Sequence, residues 1–439
     1  MSCPEKVWFY TLGCRVNQYE TDAVRELFLS EGYEETQDAR KADVCVVNTC
    51  TVTAEAGRKS LQHLRSVVRS NPEALIVAMG CASQLFEGEM PADIILGTRD
   101  KNEIIDKIKA YKGDKSHNTY HEGKSALHKD FYHDFGTVVS PEGCRAFMKI
   151  QDGCDRFCTY CIIPYARGPV SSRAPESILS EARELTSEGF SEIIVSGIEI
   201  CSYGKDMGRG IDALSEVLVE MSKIPGIERI RLGSLEPSAL TEEFIDGLSG
   251  IKQICPHFHL SLQSGSDGVL KRMKRRYDTA LYLEKVRLLR DKFPRMQLST
   301  DIICGFPGES DKEFDETLKF VQEAGINRIH VFPYSVRQGT PAARMPQVPG
   351  NIAKDRVHVL SEYSDRAREL FAESFKEKEV SVLAEEFKTD ENGVKYLAGY
   401  TREYVYSRVY GDFGEDFGPG SIIDVAAYDS VGPELICRL

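Results

Sequence analysis

Apolar runs of strand length alternate with amphipathic stretches through most of the chain. Near the N-terminus VWFYT, DVCVVN and ALIVAM are such runs, and DIILG is a fourth candidate. Between them Tyr19–Glu31 and Ala54–Ser70 place apolar residues at helical spacing. This pattern predicts an open α/β domain with a parallel sheet. From Ala146 onward six strand candidates recur: FMKIQ, EIIVSG, RIRLGS, HFHLSLQS, QLSTDIICG and RIHVFPYS. All but the last precede helix-like sequence, as at Pro175–Glu188 and Glu309–Ala324. Six strand–helix units predict a partial (β/α)6 barrel, with functional groups in the loops after the strands' carboxyl ends.

The last stretch changes character. VSVLAEEF, KYLAGYT, EYVYSRVYG and SIIDVAAYD read as short strands between Gly, Asn and Asp turns. They predict a small antiparallel β-barrel after a helix around Val357–Phe375. Residues 112–143 are polar and carry His117, His121, His128 and His133. No helical or strand spacing brings these histidines together, so a solvated linker is expected, with a metal site as the alternative. The expected divisions are 1–111, 112–143, 144–374 and 375–439, and the class is α/β.

A chain of 439 residues suggests about three domains. At 41% hydrophobic and 28% charged residues it reads as soluble and globular. No apolar run approaches the roughly 20 residues of a membrane span. No basic segment leads into an apolar one at the N-terminus, so no secretory signal is expected. Thirteen cysteines, an odd number, point to a reducing compartment, the cytoplasm, and to ligands rather than bridges. The net charge of −13 would repel a polyanion, so any nucleic-acid binding must rest on local basic patches.

Cys154, Cys158 and Cys161 stand C-x3-C-x2-C in GCDRFCTYC, after the first barrel strand. A mononuclear zinc site usually takes four protein ligands, and disulfides take pairs. Three thiolates suit a four-iron cluster with one iron left open for a small molecule. The alternatives are loop cysteines or a zinc site completed from elsewhere. Cys14, Cys50 and Cys81 each follow a strand of the N-terminal sheet. Strand-end loops of a parallel sheet share one edge, so these three can converge on a second cluster. The alternative is coincidence among thirteen. Cys3, Cys45, Cys144, Cys201, Cys255, Cys304 and Cys437 read as structural.

Glycine turns at Gly197 (GIEI) and at Gly305 and Gly308 (GFPGES) follow barrel strands, where backbone can approach a ligand; ordinary punctuation explains them equally. Glu236 in GSLEP also sits past a strand end, to bind ribose hydroxyls or to cap a helix. Three basic features could meet phosphate: KRMKRRY at Lys271–Tyr277, the face formed by Arg58, Arg65 and Arg69, and Arg156, Arg167 and Arg173 around the cysteine loop. The alternative in each case is a solvated surface.

Along nearly its whole length the chain resembles the radical S-adenosylmethionine (SAM) methylthiotransferases. TLGCRVNQYETDAV and NTCTVTAEAGRKSLQ are similar to that family's N-terminal domain, and KIQDGCDRFCTYCIIPYARGPVSSR to its cluster loop. HLSLQSGSDGVLKRMKRRY, TDIICGFPGE and VFPYSVRQGTPAARM resemble its later barrel motifs, and the C-terminal segment its RNA-gripping TRAM barrel. The resemblance implies that Cys154, Cys158 and Cys161 hold a 4Fe–4S cluster that chelates SAM. It implies that Cys14, Cys50 and Cys81 hold an auxiliary 4Fe–4S cluster that handles sulfur. One SAM would methylate a sulfur there, and a second would yield a 5′-deoxyadenosyl radical that takes hydrogen from an unactivated C–H bond. An electron-donor protein and a sulfur source are implied partners, and no membrane is.

The family acts on an adenosine beside the tRNA anticodon or on an aspartate of a ribosomal protein. The pairing of TLGCRVNQYE with NTCTVT resembles most the MtaB branch, which acts on N6-threonylcarbamoyladenosine at position 37 in the tRNA anticodon loop. The MiaB branch, acting on N6-isopentenyladenosine, typically reads GCQMN where this chain reads GCRVN. A non-catalytic iron–sulfur RNA-binding protein is a third reading. The TRAM-like segment is acidic, with Asp390, Glu391, Asp412, Glu415, Asp416 and Asp424. Its Tyr400, Tyr404, Tyr406 and Tyr410 could stack on a splayed base or pack across strands.

Overall fold

The computed structural model describes residues 4–85, 90–113, 120–121, 132–139, 143–414 and 417–439. The N-terminal apolar runs form a six-stranded parallel sheet: β1 (Lys6–Thr11), β2 (Glu34–Glu35), β3 (Val44–Thr49), β4 (Leu75–Gly80), β5 (Ile94–Ile95) and β6 (Tyr120–His121), in the order β2-β1-β3-β4-β5-β6. β3 is buried at every position, which is why its sequence is a continuous apolar run rather than an alternation. The sheet is accompanied by α1 (Arg15–Ser30), α2 (Ala54–Ser70), α3 (Cys81–Leu85) and α4 (Ile104–Gly113). Val24 and Phe28 of α1 and Ile104 and Ile108 of α4 pack with Val44, Val46 and Val77 on one face. Leu64 and Val67 of α2 pack with Cys45, Val47 and Ile76 on the other. α2 starts where Thr53 caps it by accepting from the Ala56 N–H at 3.0 Å.

The six central strand candidates all form. They are β7 (Arg145–Asp152), β9 (Glu192–Gly197) and β10 (Arg229–Leu232), then β12 (His257–Leu260), β13 (Gln297–Cys304) and β14 (Arg328–Pro333). Two short strands, β8 (Ser171–Ser172) and β11 (Ser234–Leu235), complete two sheets ordered β10-β9-β7-β8 and β11-β12-β13-β14. A parallel bridge from Ile230 to Ile254 links them into a partial barrel. The helices are α5 (Ile163–Arg167), α6 (Pro175–Ser187), α7 (Ile211–Ser222), α8 (Glu242–Ser249), α9 (Asp267–Arg272), α10 (Thr279–Lys292), α11 (Asp311–Glu323) and α12 (Gly350–Glu373). Met148, Ile150, Ile193, Val195, Ile230, Phe258 and Leu298 pack outward into the main core. The alternate positions, among them Lys149, Arg231, His257, His259 and Ser299, share the opposite, polar face.

The C-terminal strands close a five-stranded barrel in the order β15-β16-β17-β19-β18: β15 (Lys378–Thr389), β16 (Lys395–Thr401), β17 (Tyr406–Tyr410), β18 (Ile422–Val431) and β19 (Glu434–Arg438). β19 is the strand that the sequence pattern does not reveal. It closes the barrel by pairing parallel with β17. The barrel docks through Arg229 and Arg231, which donate to the carbonyls of Ser381 at 2.7 Å and Arg402 at 3.0 Å.

Residues 132–139 are not a solvated linker. Tyr132 donates to the Lys149 carbonyl at 2.7 Å, Asp134 pairs with Arg173 at 2.8 Å, and Val138 is buried beside Tyr19 and Ala23. His117, His128, Cys3, Glu415 and Asp416 lie outside the described residues. Among the described residues no helix is long and apolar enough to cross a membrane.

Candidate functional site

Both three-cysteine sets lie past the carboxyl ends of parallel strands. Cys14 caps α1 after β1, Cys50 follows β3, and Cys81 opens α3 after β4. Gly13, at φ +114°, lets the chain approach closely: a Cβ there would lie 2.8 Å from the Cys50 sulfur. Asn17 ties the edge together by donating to the carbonyls of Leu12 at 2.8 Å and Thr49 at 3.1 Å. In the barrel, Gly153 takes φ +70° directly before Cys154, where a Cβ would lie 1.9 Å from the Pro169 carbonyl oxygen. The Cys154 N–H then donates to the Gly168 carbonyl at 3.0 Å, and that of Cys161 to Cys158 at 3.0 Å.

All twelve described cysteines are free thiols. Burial pushes Cys154 and Cys161 up to about 12 and Cys50 up to about 11. Such thiols ionise only when positive charge arrives, and each set has a buried guanidinium in place. Arg275 donates to the Cys158 sulfur at 3.3 Å, and Arg167 donates through Nε to the Cys81 sulfur at 3.3 Å. Among the described residues no three side chains already form a metal-holding group, but free thiols, buried at Cys50, Cys81 and Cys158, with guanidinium N–H donors on two of them, have the chemistry of a thiolate-ligated iron–sulfur site. Cys45, Cys201, Cys255, Cys304 and Cys437 are buried, while Cys144, half-buried, donates to the Glu385 carbonyl at 3.6 Å.

Arg167 also centres an ion network between the two sheets. Its Nη1 lies 2.8 Å from Glu20 and 3.1 Å from Asp152, and its Nη2 donates to Asn17 Oδ1 at 2.8 Å. Lys149 reaches Glu20 at 2.8 Å and Asp152 at 2.5 Å, and Lys101 pairs with Glu20. Three cations thus face two carboxylates. Burial would push Glu20 up, but Arg167, Lys101 and Lys149 hold it well below the usual carboxylate range. The surplus positive charge sits against the Cys81 sulfur.

Residues 148–321 match the radical SAM superfamily, and residues 6–96 match the uncharacterized protein family UPF0004. The chain is 38% identical to threonylcarbamoyladenosine tRNA methylthiotransferase MtaB of Bacillus subtilis (strain 168), over 91% of this chain and 89% of the relative. With the protein of the same name from Aquifex aeolicus (strain VF5) it shares 39% identity over 86% and 92%. With a tRNA-2-methylthio-N(6)-dimethylallyladenosine synthase of Clostridium botulinum (strain Hall / ATCC 3502 / NCTC 13319 / Type A) it shares 35% over 89% and 88%. The chain belongs to the radical SAM methylthiotransferases. It is an enzyme family that uses SAM and a 4Fe–4S cluster. The fold is also that of the radical SAM methyltransferase TsrM from Kitasatospora setae, solved with tryptophan and a SAM analogue: TM-score 0.56 and 15% identity, covering 77% of this chain and 75% of that one.

In this methylthiotransferase the sequence-nominated residues divide by surroundings. Glu236 is buried beside the Cys154–Cys161 loop, 3.4 Å from Arg156 and 4.0 Å from Arg275. Arg156 also pairs with Glu199 at 3.4 Å, and both Arg156 Nε and Glu199 Oε1 are buried without a hydrogen-bond partner. Gly197 lies against Gln151, whose Oε1 a Cβ would approach to 2.9 Å and which accepts from the Glu199 N–H at 2.9 Å. Gly305 answers to packing, since a Cβ would lie 2.5 Å from that of Ala353 on α12. The Gly308 N–H donates to the Pro346 carbonyl at 3.0 Å.

The basic features are rearranged. Arg167 and Arg173 are internal ion-pair partners, not phosphate contacts. KRMKRRY is not one patch: Arg272 pairs with Glu313 at 2.8 Å and Arg275 turns in to Cys158, leaving Lys271, Lys274 and Arg276 exposed. Arg58 pairs with Glu55 at 2.6 Å, and Arg65 and Arg69 remain exposed.

Arg337, in the loop after β14, is a buried-edge cation beside the N-terminal cysteines that sequence reasoning did not single out. It donates to the Thr51 hydroxyl, and its Nε is buried without a partner. Burial pulls it down while Cys50 and Cys161 both act to raise it, so it stands within electrostatic reach of the two cysteine sets at once. The same loop holds both sides. The Ala54 N–H donates to Ser335 at 2.9 Å, and the Ala342 N–H to the Thr159 carbonyl at 2.9 Å. Exposed Val52, Phe157, Tyr165, Phe332 and Val336 flank these loops along the chain.

Proposed function

We propose that this protein is a cytoplasmic tRNA methylthiotransferase. It converts N6-threonylcarbamoyladenosine at position 37, beside the anticodon, to 2-methylthio-N6-threonylcarbamoyladenosine. Cys154, Cys158 and Cys161 would hold the 4Fe–4S cluster that takes SAM, and Cys14, Cys50 and Cys81 a second 4Fe–4S cluster. When bound, these groups supply the radical and sulfur chemistry that replacing an unactivated C–H bond demands. An electron-donor protein and a sulfur source complete the requirement. Residues 1–111, 144–374 and 375–439 would act as methylthiotransferase, radical SAM and TRAM domains, joined by 112–143.

The observation that supports this reading is two three-cysteine sets past the carboxyl ends of parallel strands, each with a guanidinium donating to one of its sulfurs. Arg337 ties the loop after β14 to Thr51, next to Cys50, and brings positive charge there. Glu236 and Glu199, held by Arg156, present buried carboxylate oxygens beside the barrel set. They suit the hydroxyl and amine donors of a nucleoside-linked amino acid such as SAM, with Gly197 nearby to admit it. Gly305 and Gly308 would admit the cofactor at the turn after β13. Arg275 and Arg167 hold sulfurs of the two sets in place by hydrogen bonding. The exposed apolar side chains around both loops suit a stacked, splayed base.

Mass spectrometry of nucleosides from bulk tRNA, with and without this gene, tests the function. The expected result is selective loss of 2-methylthio-N6-threonylcarbamoyladenosine. Loss of the isopentenyl counterpart instead assigns the MiaB substrate. No change in any methylthio nucleoside overturns the tRNA reading in favour of a ribosomal-protein aspartate or a non-catalytic role.

A further inference from the structure

Tyr404 sits in the turn after β16 at φ 69°, stacked between Tyr400 at 4.7 Å and His257 at 4.8 Å. Arg231, Arg145 and Arg328 approach its ring at 4.7, 5.3 and 6.0 Å, and Arg15 Nη2 donates to its hydroxyl at 3.3 Å. Arg145 pairs with Glu385 at 2.6 Å, and Arg231 at 2.8 Å shares Glu192 with Arg229 at 3.4 Å. Among the described residues, Arg15 and Arg328 meet no carboxylate. Burial pulls Arg328 down, and the like charges of Arg368 and then Arg15 add to it. Asp301, which pairs across strands with His330, is turned to His259 at 3.5 Å. The site is also well placed. Arg15 directly follows Cys14 and lies over Phe147 of β7, the strand that leads into the Cys154 loop.

We propose that Arg15, backed by Arg328, binds the carboxylate of the threonylcarbamoyl group and thereby selects this substrate over one carrying an apolar isopentenyl group. The inference rests on the substrate proposed above. An arginine fork matches a carboxylate in two-point geometry, and an anion between two like charges removes their repulsion. An isopentenyl group would instead cover Arg15 while giving it no partner, which disfavours that substrate.

The test is equilibrium binding of the holoenzyme to two anticodon stem-loop RNAs, one with N6-threonylcarbamoyladenosine at position 37 and one with adenosine. The native protein is expected to prefer the first by about tenfold or more, the scale of a charge-assisted hydrogen bond. Arg15→Gln should erase that preference and leave the affinity for the adenosine RNA in place, with iron content as the control for Cys14. Arg328→Gln, away from the cysteines, should reduce the preference and reads the site independently. Equal weakening of both RNAs would mark a backbone-phosphate contact, and an intact preference in both variants would empty the site of this role; either overturns the proposal. The nucleoside comparison separates the levels. If gene loss removes the 2-methylthio-threonylcarbamoyl nucleoside while the variants keep their preference, only the site assignment fails.

Discussion

Cys154, Cys158 and Cys161 come from a single loop, whereas Cys14, Cys50 and Cys81 come from three strand ends far apart along the chain. The barrel set is shaped by local backbone: Gly153 at φ +70° and Phe157 at φ 47° bend one segment around its own sulfurs. The sheet set is shaped at a distance, by Asn17 spanning two loops and by Arg167 arriving from α5 of the barrel to reach Cys81. A loop of this kind is spoiled by changes within it. A converging edge is spoiled by changes at positions that hold no ligand.

The sharpest way to break this comparison is Cys158→Ala. It is expected to abolish SAM cleavage, read as 5′-deoxyadenosine, while iron at the sheet set remains. Cleavage surviving the change would displace the cluster from this loop. The next effect runs the other way. Arg167→Met leaves Glu20 and Asp152 with fewer cations in a buried network, and should cost about 3 kcal/mol or more in urea unfolding. It should also disturb the spectrum of a cluster held at Cys81, as proposed, more than that of one held at the barrel loop. Unchanged stability would mean that Lys149 and Lys101 suffice. The smallest effect belongs to the surface. Replacing Lys271, Lys274 and Arg276 by serine should lower the salt slope of tRNA binding by about 1 per cation that meets a phosphate, with iron content unaltered. An unchanged slope would make them solvated residues of α9 and its end.

The same contrast governs how much the sequence tells. The barrel set is legible because its spacing is local, and the sheet set because a parallel sheet gathers strand ends. The six barrel strands are legible because most set apolar residues at alternate positions over strand length, and all but the last precede helix-like sequence. Sequence leaves Arg167 open between a phosphate contact and a solvated surface, because its partner Glu20 lies 147 positions away. The run at Lys271 was read as one patch because spacing does not show that Lys274 takes φ 60° and turns Arg275 inward. Tyr400 and Tyr404 were open between stacking on RNA and packing. They pack on each other, and Tyr404 also packs on a histidine of the central barrel, a contact between regions that no local pattern encodes.

The network around Arg167 has a consequence for inheritance. Glu20, Lys101 and Cys81 come from the N-terminal sheet region, and Lys149, Asp152 and Arg167 from the barrel. Neither half is balanced without the other once Cys81 is a thiolate: one side of the seam carries a surplus negative charge and the other a surplus positive one. The two regions are therefore matched parts rather than interchangeable modules. A chimera joining this N-terminal region to a foreign barrel without counterparts of Lys149, Asp152 and Arg167 would bury an odd charge at its seam, so substitutions here are constrained to change in concert.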